Sequence, residues 1–383
     1  MYDCWLAFIL SRMHPEGYST WLEIDLGAIG NNYRELARIS KRPVMAIIKA
    51  NAYGHGLVKI AQTVSELGAP WLGVARYEEA ASVRKNGITT DLLIMGYTSP
   101  VHAPTAAKER ISLTVFDQET AAEYADRTAA HGLVARVQVK INTGMNRLGI
   151  NPEDAIEFVR WLTGCPGIEV EGVFTHFARA DEPDHPATEE QIRLFNDALE
   201  GLKAAGLLPG WVHASNSGAV FNFSQAGFDL VRCGISLYGL HPSPETSLPG
   251  SFRPGMAWKT MVTSIMNLKP GSGVGYNHRY VTRSQERIGT IPVGYADGFR
   301  RIQGNQVLVE GKLVPVVGTI CMDQCMIQLD SVPNVRLGDE VVLIGSQGDL
   351  VRSMEDLASL WGTNNYEVAC GIADRLPRVY LPG

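Results

Sequence analysis

Within eight residues, Lys49-Ala-Asn-Ala-Tyr53-Gly-His-Gly56, the chain sets an amine beside a phenol and adds glycines that let backbone N–H groups approach an anion. That combination suits an aldehyde cofactor carrying a phosphate: the amine bonds the carbonyl, and the loop holds the anion. A lone lysine at the end of a strand would ordinarily extend its ammonium into water. The phenol and the glycines beside it favour chemistry.

Several elements must position these residues. Val44-Met-Ala-Ile-Ile, bounded by Pro43, reads as a buried strand, and a Gly/Asn-rich turn leads to a helix at about Leu57. Before it, Trp21–Asp25 alternates like a strand and 26–39 has helical spacing. Apolar runs recur at 44–49, 71–75, 91–97, 112–116, 134–141, 170–177, 211–217 and 230–238, separated by helix-like segments. Strands alternating with helices imply right-handed parallel βαβ units, and eight such runs point to an α/β fold with a closed (β/α)8 TIM barrel. No G-x-G-x-x-G follows any of them, which disfavours an open dinucleotide-binding sheet. Lys49 then sits at the C-terminal mouth of a barrel strand, where such folds keep their chemistry.

Pro, Ser and Gly become frequent between His241 and Pro254. Strand-like runs follow at 258–268, 286–295, 306–310, 313–320, 325–329 and 340–345, with a helix at 353–360, which predicts a mainly antiparallel β domain. The expected division is an N-terminal extension at 1–19, a barrel at 20–248 whose first strand can pair with the β domain, and a C-terminal β domain at 249–383.

A chain of 383 residues with 45% hydrophobic content can bury two cores. The net charge of −6, without long runs of one sign, gives no nucleic acid or membrane surface a footprint and leaves a small molecule as the expected ligand. Six scattered cysteines fit reduced thiols in a cytoplasmic protein. Cys321 and Cys325 lack a second pair or a nearby histidine, so no metal is expected. The apolar opening at 1–10 has an acid where a signal peptide needs bases and no small-residue cleavage site, so it reads as an extension, with Met13 an alternative start. No stretch is long enough to span a bilayer.

Further polar residues fall at the ends of the expected strands: Lys140 and Arg147 around Asn142-Thr-Gly-Met-Asn146, His176, Asn216 and Ser217, and Arg232 with Gly234 and Ile235. Each alone is compatible with a structural role, since a single histidine on an apolar strand is more often a satisfied core residue. Their recurrence at successive strand mouths makes one shared site the better reading. The β domain adds Gly275-Tyr276-Asn277, Gly294-Tyr295-Ala-Asp297-Gly298, Cys321-Met322-Asp323-Gln324 and Asn365-Tyr366-Glu367.

Six motifs together resemble bacterial alanine racemases, in order and over about residues 20–380: Lys-Ala-Asn-Ala-Tyr-Gly-His-Gly, Thr-Gly-Met-Asn-Arg-Leu-Gly, Arg-Cys-Gly-Ile-Ser-Leu-Tyr-Gly, Gly-Tyr-Ala-Asp-Gly, Cys-Met-Asp-Gln and Asn-Tyr-Glu-Val. The resemblance implies a pyridoxal 5'-phosphate enzyme that interconverts L- and D-alanine for peptidoglycan, working as a homodimer with composite sites. It makes Lys49 the Schiff-base lysine and one proton-transfer base, with Tyr276 of the partner subunit as the other. Tyr53, Asn216, Ser217, Gly234, Ile235 and Tyr366 would surround the cofactor and its phosphate, Arg232 would face the pyridine nitrogen, and His176 would lie beside the ring. Arg147 would steer the cofactor phenolate and the substrate carboxylate, the backbone at Met322 of the partner subunit would help hold that carboxylate, and Lys140 would be a candidate for carbamylation.

Racemisation needs a base on each side of the reacting carbon, because a single base returns the proton to the face it left. The chain departs from the family pattern at Asn142, where an acid is usual, and at Asn146, where glycine is usual. These positions leave open a serine or broad-specificity racemase of the same fold, since a pocket discriminates one hydroxyl poorly. A non-catalytic pyridoxal-phosphate carrier is the rival from another class, and the second domain with Tyr276 counts against it.

Overall fold

The computed structural model describes residues 17–382. The opening at 1–12 and Met13 lie outside them. The chain forms two compact units, one of Ala28–Arg253 and the other of the stretch up to Gly27 together with Pro254–Gly383.

Strand β1 (Thr20–Asp25) precedes a helix over Leu26–Ser40 that buries Ala28, Ile29, Asn32, Tyr33 and Leu36, the spacing of one helical face. Then come β2 (Val44–Ile47), β3 (Trp71–Val74), β4 (Asp91–Ile94), β5 (Ile111–Val115), β6 (Ala135–Lys140), β7 (Ile168–Phe174), β8 (Trp211–His213) and β9 (Val231–Cys233). β2 to β8 pair in parallel and in sequence order, and β9 pairs with β2. A parallel bridge between His213 and Leu230 and a hydrogen bond from Arg232 N–H to the Ser215 carbonyl, 3.0 Å, close the last seam. This is the expected TIM barrel. β2 and β3 are buried along their whole length, as strands covered on both faces must be, hence their continuous apolar sequence.

The runs expected at 211–217 and 230–238 are strands only in part. β8 ends at His213, and the Asn216 side chain accepts from Ala219 N–H at 3.0 Å, capping a helix over Ser217–Asn222. β9 ends at Cys233, and the chain turns at Gly234 into a short 3-10 segment over Ile235–Tyr238.

In the other unit, β1 runs antiparallel to Met256–Met261 and parallel to Arg378–Leu381. The run expected at 258–268 is two strands, because the chain turns after Met261: Met256–Met261 pairs with β1 and Glu340–Gln347, while Ser264–Leu268 pairs with Glu286–Ile291. Antiparallel pairs continue through Cys325–Gln328, Lys312–Val317 and Gln306–Val309. Trp258 and Phe299, both fully buried, meet edge to face in its core. Two elements absent from the expectation carry candidate residues: a hairpin of Gly273–Val274 with Tyr280–Val281, and a helix over Asn365–Gly371.

Candidate functional site

Lys49 lies two residues beyond β2, half-buried, at the start of an unusual turn. Ala50, Asn51, Ala52 and Tyr53 all have φ between 52° and 54°, a left-handed turn of four non-glycine residues. Such residues cost about 1–2 kcal/mol each, so surrounding groups must hold the turn. Glu79 accepts from Ala50 N–H at 2.6 Å, Asn51 Oδ1 from Leu57 N–H at 2.8 Å, and His55 Nδ1 lies 2.8 Å from the Tyr53 carbonyl and 3.1 Å from that of Ala52. Carbonyl oxygens only accept, so Nδ1 carries the His55 proton. The buried ring of Tyr238 packs 4.4 Å from His55 and 4.9 Å from Tyr53, and its hydroxyl donates to the Ile47 carbonyl at 2.9 Å. The turn thereby fixes the Tyr53 phenol against the end of β9.

There the fit is close. A Cβ at Gly234 would stand 2.4 Å from Tyr53 Oη. Ser217 Oγ accepts from Gly234 N–H at 3.2 Å and bonds to Ser236 Oγ at 2.9 Å. A phenol, a serine hydroxyl and backbone of Gly234 and Ile235 thus share one corner of the barrel mouth, a donor set able to hold a phosphate.

Arg232, on β9, is almost fully buried. Its Nη2 donates to the carbonyls of Thr175 and Ala214 at 2.7 and 2.8 Å and to His176 Nδ1 at 3.0 Å, and its Nη1 donates to His213 Nδ1 at 2.8 Å. Burial pushes the guanidinium down to about 9, still a cation at neutral pH. His176 is held well below the usual imidazole range by burial and then by Arg232, Lys140, Arg147 and Lys49. It is therefore neutral, and since its Nδ1 accepts from Arg232, its proton is on Nε2.

Lys140, at the end of β6, is buried, its Nζ has no hydrogen-bond partner, and it lies 5.0 Å from the centre of the Phe174 ring. Burial, Arg232 and Arg147 drive it well below the ordinary lysine range. An amine shifted toward its neutral form among cations stands where a negative charge would be welcome. Arg147 is exposed on the loop after β6. Asn142 organises that loop: its Oδ1 accepts from Asn146 N–H at 2.9 Å and its Nδ2 donates to Asn146 Oδ1 at 3.0 Å. Asn146 has φ 54°, which asparagine tolerates better than most side chains. The two departures from the family pattern are thus partners, because a carboxylate at 142 could not donate this bond.

In the second unit, Tyr276 follows Gly275 (φ 69°) at the tip of the Gly273–Val281 hairpin and is 68% exposed. Met322 is also exposed, and its carbonyl accepts from Ala296 N–H at 3.0 Å, which leaves its own N–H as the backbone donor there. The Tyr295 turn is built against this loop: a Cβ at Gly294 would be 2.1 Å from the Met322 carbonyl oxygen, and Asp297 accepts from Gly294 N–H and from Arg375, which also binds Asp323. Tyr366 is half-buried on the helix that Asn364 caps.

In the barrel the structure draws Lys49, Lys140, Arg147, His176 and Arg232 into one electrostatic cluster and sets Tyr53, Ser217 and Gly234 together beside it. Sequence reasoning gave no role to Glu79, His55, Tyr238 or His213. His55 and Tyr238 stand within the quoted motifs, which was the available signal; Glu79 and His213 have none.

Models of the alanine racemase N-terminal and C-terminal domains match residues 24–242 and 255–380. An alanine racemase of Symbiobacterium thermophilum is 43% identical over 374 residues, covering 97% of this chain and 98% of that one. Among solved structures, the alanine racemase of Clostridium difficile superposes with a TM-score of 0.90 at 37% identity, covering 96% of each chain. That of Bacillus anthracis, solved with bound L-Ala-P, gives 0.91 at 39% identity and the same coverage. With both domain models matched and relatives aligned over nearly its whole length, the chain belongs to the alanine racemase family.

Proposed function

We propose that the protein racemises alanine with pyridoxal 5'-phosphate, in a cytoplasmic homodimer whose two sites each combine residues of both subunits. The observation that carries this reading is the barrel mouth itself: a lysine, a phosphate-holding corner and a buried arginine on adjoining strands of a chain in this family. The residues present fit the cofactor. The space a Cβ at Gly234 would fill lies under Tyr53 Oη, the Ser217 hydroxyl and nearby backbone offer polar partners, and the cationic cluster suits a phosphate. When bound, the cofactor supplies a sink for the electron pair left on Cα as the proton departs.

The chain does the rest. Lys49 would hold the cofactor at its aldehyde carbon and, once the substrate amine displaces it there, its freed Nζ would exchange the α-proton on one face. Tyr276 of the partner subunit exchanges it on the other through Oη. Tyr53, Asn216, Ser217, Gly234, Ile235 and Tyr366 hold the cofactor, with His176 beside the ring. Arg147 and the Met322 N–H of the partner subunit bind the substrate carboxylate. Arg232, with Nη1 and Nη2 held by the protein, would offer its Nε–H to the pyridine nitrogen; a guanidinium that keeps its proton would leave that nitrogen unprotonated and the sink moderate. Lys140 as a carbamate would give Arg147 an anionic partner. The product is the D-alanine of peptidoglycan. No helix among the described residues is long and apolar enough to cross a membrane, and the five described cysteines are free, which fits the cytoplasm.

Protein loaded with pyridoxal phosphate is expected to abolish the optical rotation of L-alanine, and to act on L-serine and L-lysine far more slowly. Persistent rotation of all three would overturn the reading, and equal rates would move it to a broad racemase. Gly234→Ala should push the Tyr53 hydroxyl off the phosphate and, at about 1.5–3 kcal/mol for a hydrogen bond to a charged group, weaken cofactor retention about tenfold to a hundredfold in an absorbance titration.

A further inference from the structure

Arg232 is one end of a chain of polar side chains that runs inside the barrel. His213 Nε2 lies 2.7 Å from Gln138 Oε1, Gln138 Nε2 donates to Glu171 Oε1 at 3.2 Å, and Glu171 pairs with Arg136 at 3.5 Å, which pairs with Asp91 at 3.3 Å. Gln138 and His213 are fully buried. Every direction is forced. A guanidinium only donates, so His213 Nδ1 accepts from Arg232; its Nε2 then holds the proton and donates to the amide oxygen; the amide nitrogen must donate onward, and the carboxylate receives it. His213 stays neutral, since burial and then Arg232 and Lys140 hold it well below the usual imidazole range.

Two backbone features build this row. Val137 pairs with Val170 but Gln138 with Gly172, so Glu171 is an extra residue in β7, a bulge of the kind that re-aims a side chain. Gly172 leaves room for the amide and for the neighbouring strand: a Cβ there would lie 3.0 Å from the Trp211 carbonyl oxygen of β8, 3.1 Å from Gln138 Cδ and 3.2 Å from its Cγ.

We propose that Gln138 and Glu171 are positioning residues for Arg232: by fixing the tautomer of His213 they anchor Nη1 and thereby the direction of the donor offered to the cofactor ring. The inference rests on the placement of Arg232 against that ring. Without the amide oxygen, Arg232 alone opposes the tautomer with the proton on Nδ1, which would face the guanidinium and push it away.

The test is Gln138→Leu, with Gln138→His as the conservative variant because an imidazole also offers one acceptor and one donor. Histidine-labelled protein without cofactor is read by ¹⁵N NMR for the protonated nitrogen of His213, and loaded protein by kcat and KM for L-alanine. The expected result is an Nε2–H signal in the wild type and in Q138H that is lost in Q138L. With it, kcat falls about tenfold or more in Q138L at nearly unchanged KM, the scale on which outer partners of a site act. Glu171→Leu, which removes the acceptor of the Gln138 amide and leaves Gln138 in place, should shift both readouts the same way and serves if Q138L does not fold. A Q138L protein that keeps the Nε2–H signal, or loses it without a fall in kcat, overturns the proposal. A wild type that shows the signal and racemises nothing overturns the functional reading instead, since the NMR experiment needs neither cofactor nor substrate.

Discussion

Tyr276→Phe is expected to keep the yellow absorbance of the lysine-bound cofactor and to lower turnover from L-alanine about 10²- to 10⁴-fold, the usual contribution of a positioned proton-transfer group. The substitution removes one hydroxyl from a side chain that is 68% exposed, so stability should be unchanged within about 0.5 kcal/mol, and a thermal melt provides that control. A fall in turnover then reports chemistry rather than folding. In the proposed two-base scheme the phenol is needed because Lys49 would serve only one face: with Nζ alone, the proton would return to the side it left. Unchanged racemisation in the purified variant would rule out the two-base assignment and require the second proton donor to be found within the barrel unit.

Lys49→Ala has the largest expected effect. On the proposed assignment it would remove the covalent attachment and the other base together, so the yellow absorbance should disappear and racemisation should fall by about 10⁴-fold or more. The surrounding turn is anchored through other groups, Ala50 N–H on Glu79 and His55 on the carbonyls of Ala52 and Tyr53, so the fold should survive. Cofactor should still bind, non-covalently, through the phosphate corner. Borohydride, which fixes an imine as a stable amine, gives a sharp check. Mass spectrometry should find the cofactor on the peptide carrying Lys49 in the wild type and on no peptide in the variant. A variant that still forms the bond would place the reactive lysine elsewhere.

How much of this was legible before the structure depended on the physical origin of each feature. The barrel was, because strands buried on both faces write themselves as uninterrupted apolar runs, as at Val44–Ile47 and Trp71–Val74. The barrel candidates stand at the ends of those runs, whereas Tyr276, Met322 and Tyr366 were singled out by the resemblance of their motifs. Strand lengths were less legible: Asn216 and Gly234 end β8 and β9 earlier than the apolar pattern suggests, since capping and a turn override hydrophobicity. The left-handed turn after Lys49 was hidden, because Ala50, Ala52 and Tyr53 are not residues whose type announces a positive φ; tertiary contacts impose it. The hairpin bearing Tyr276 has strands of only two residues each, too short for any periodicity. The row from His213 to Glu171 was invisible for a different reason. It depends on a one-residue bulge in β7, and a bulge changes which way a side chain points without changing the composition of the strand. Asn142 and Asn146 were visible as departures, yet only their mutual hydrogen bond shows that one accommodates the other.

The central claim is that the chain moves the α-proton of alanine between two faces, and the most direct measurement is exchange in heavy water. Cofactor-loaded protein is incubated with L-alanine in D2O while deuterium at Cα and optical rotation are followed together. The account predicts that deuterium enters as rotation decays to zero, with product of both configurations labelled. Deuterium entering while rotation persists would mean that only one face is served, and no exchange at all would mean that the site binds its cofactor without doing this chemistry; either result contradicts the account.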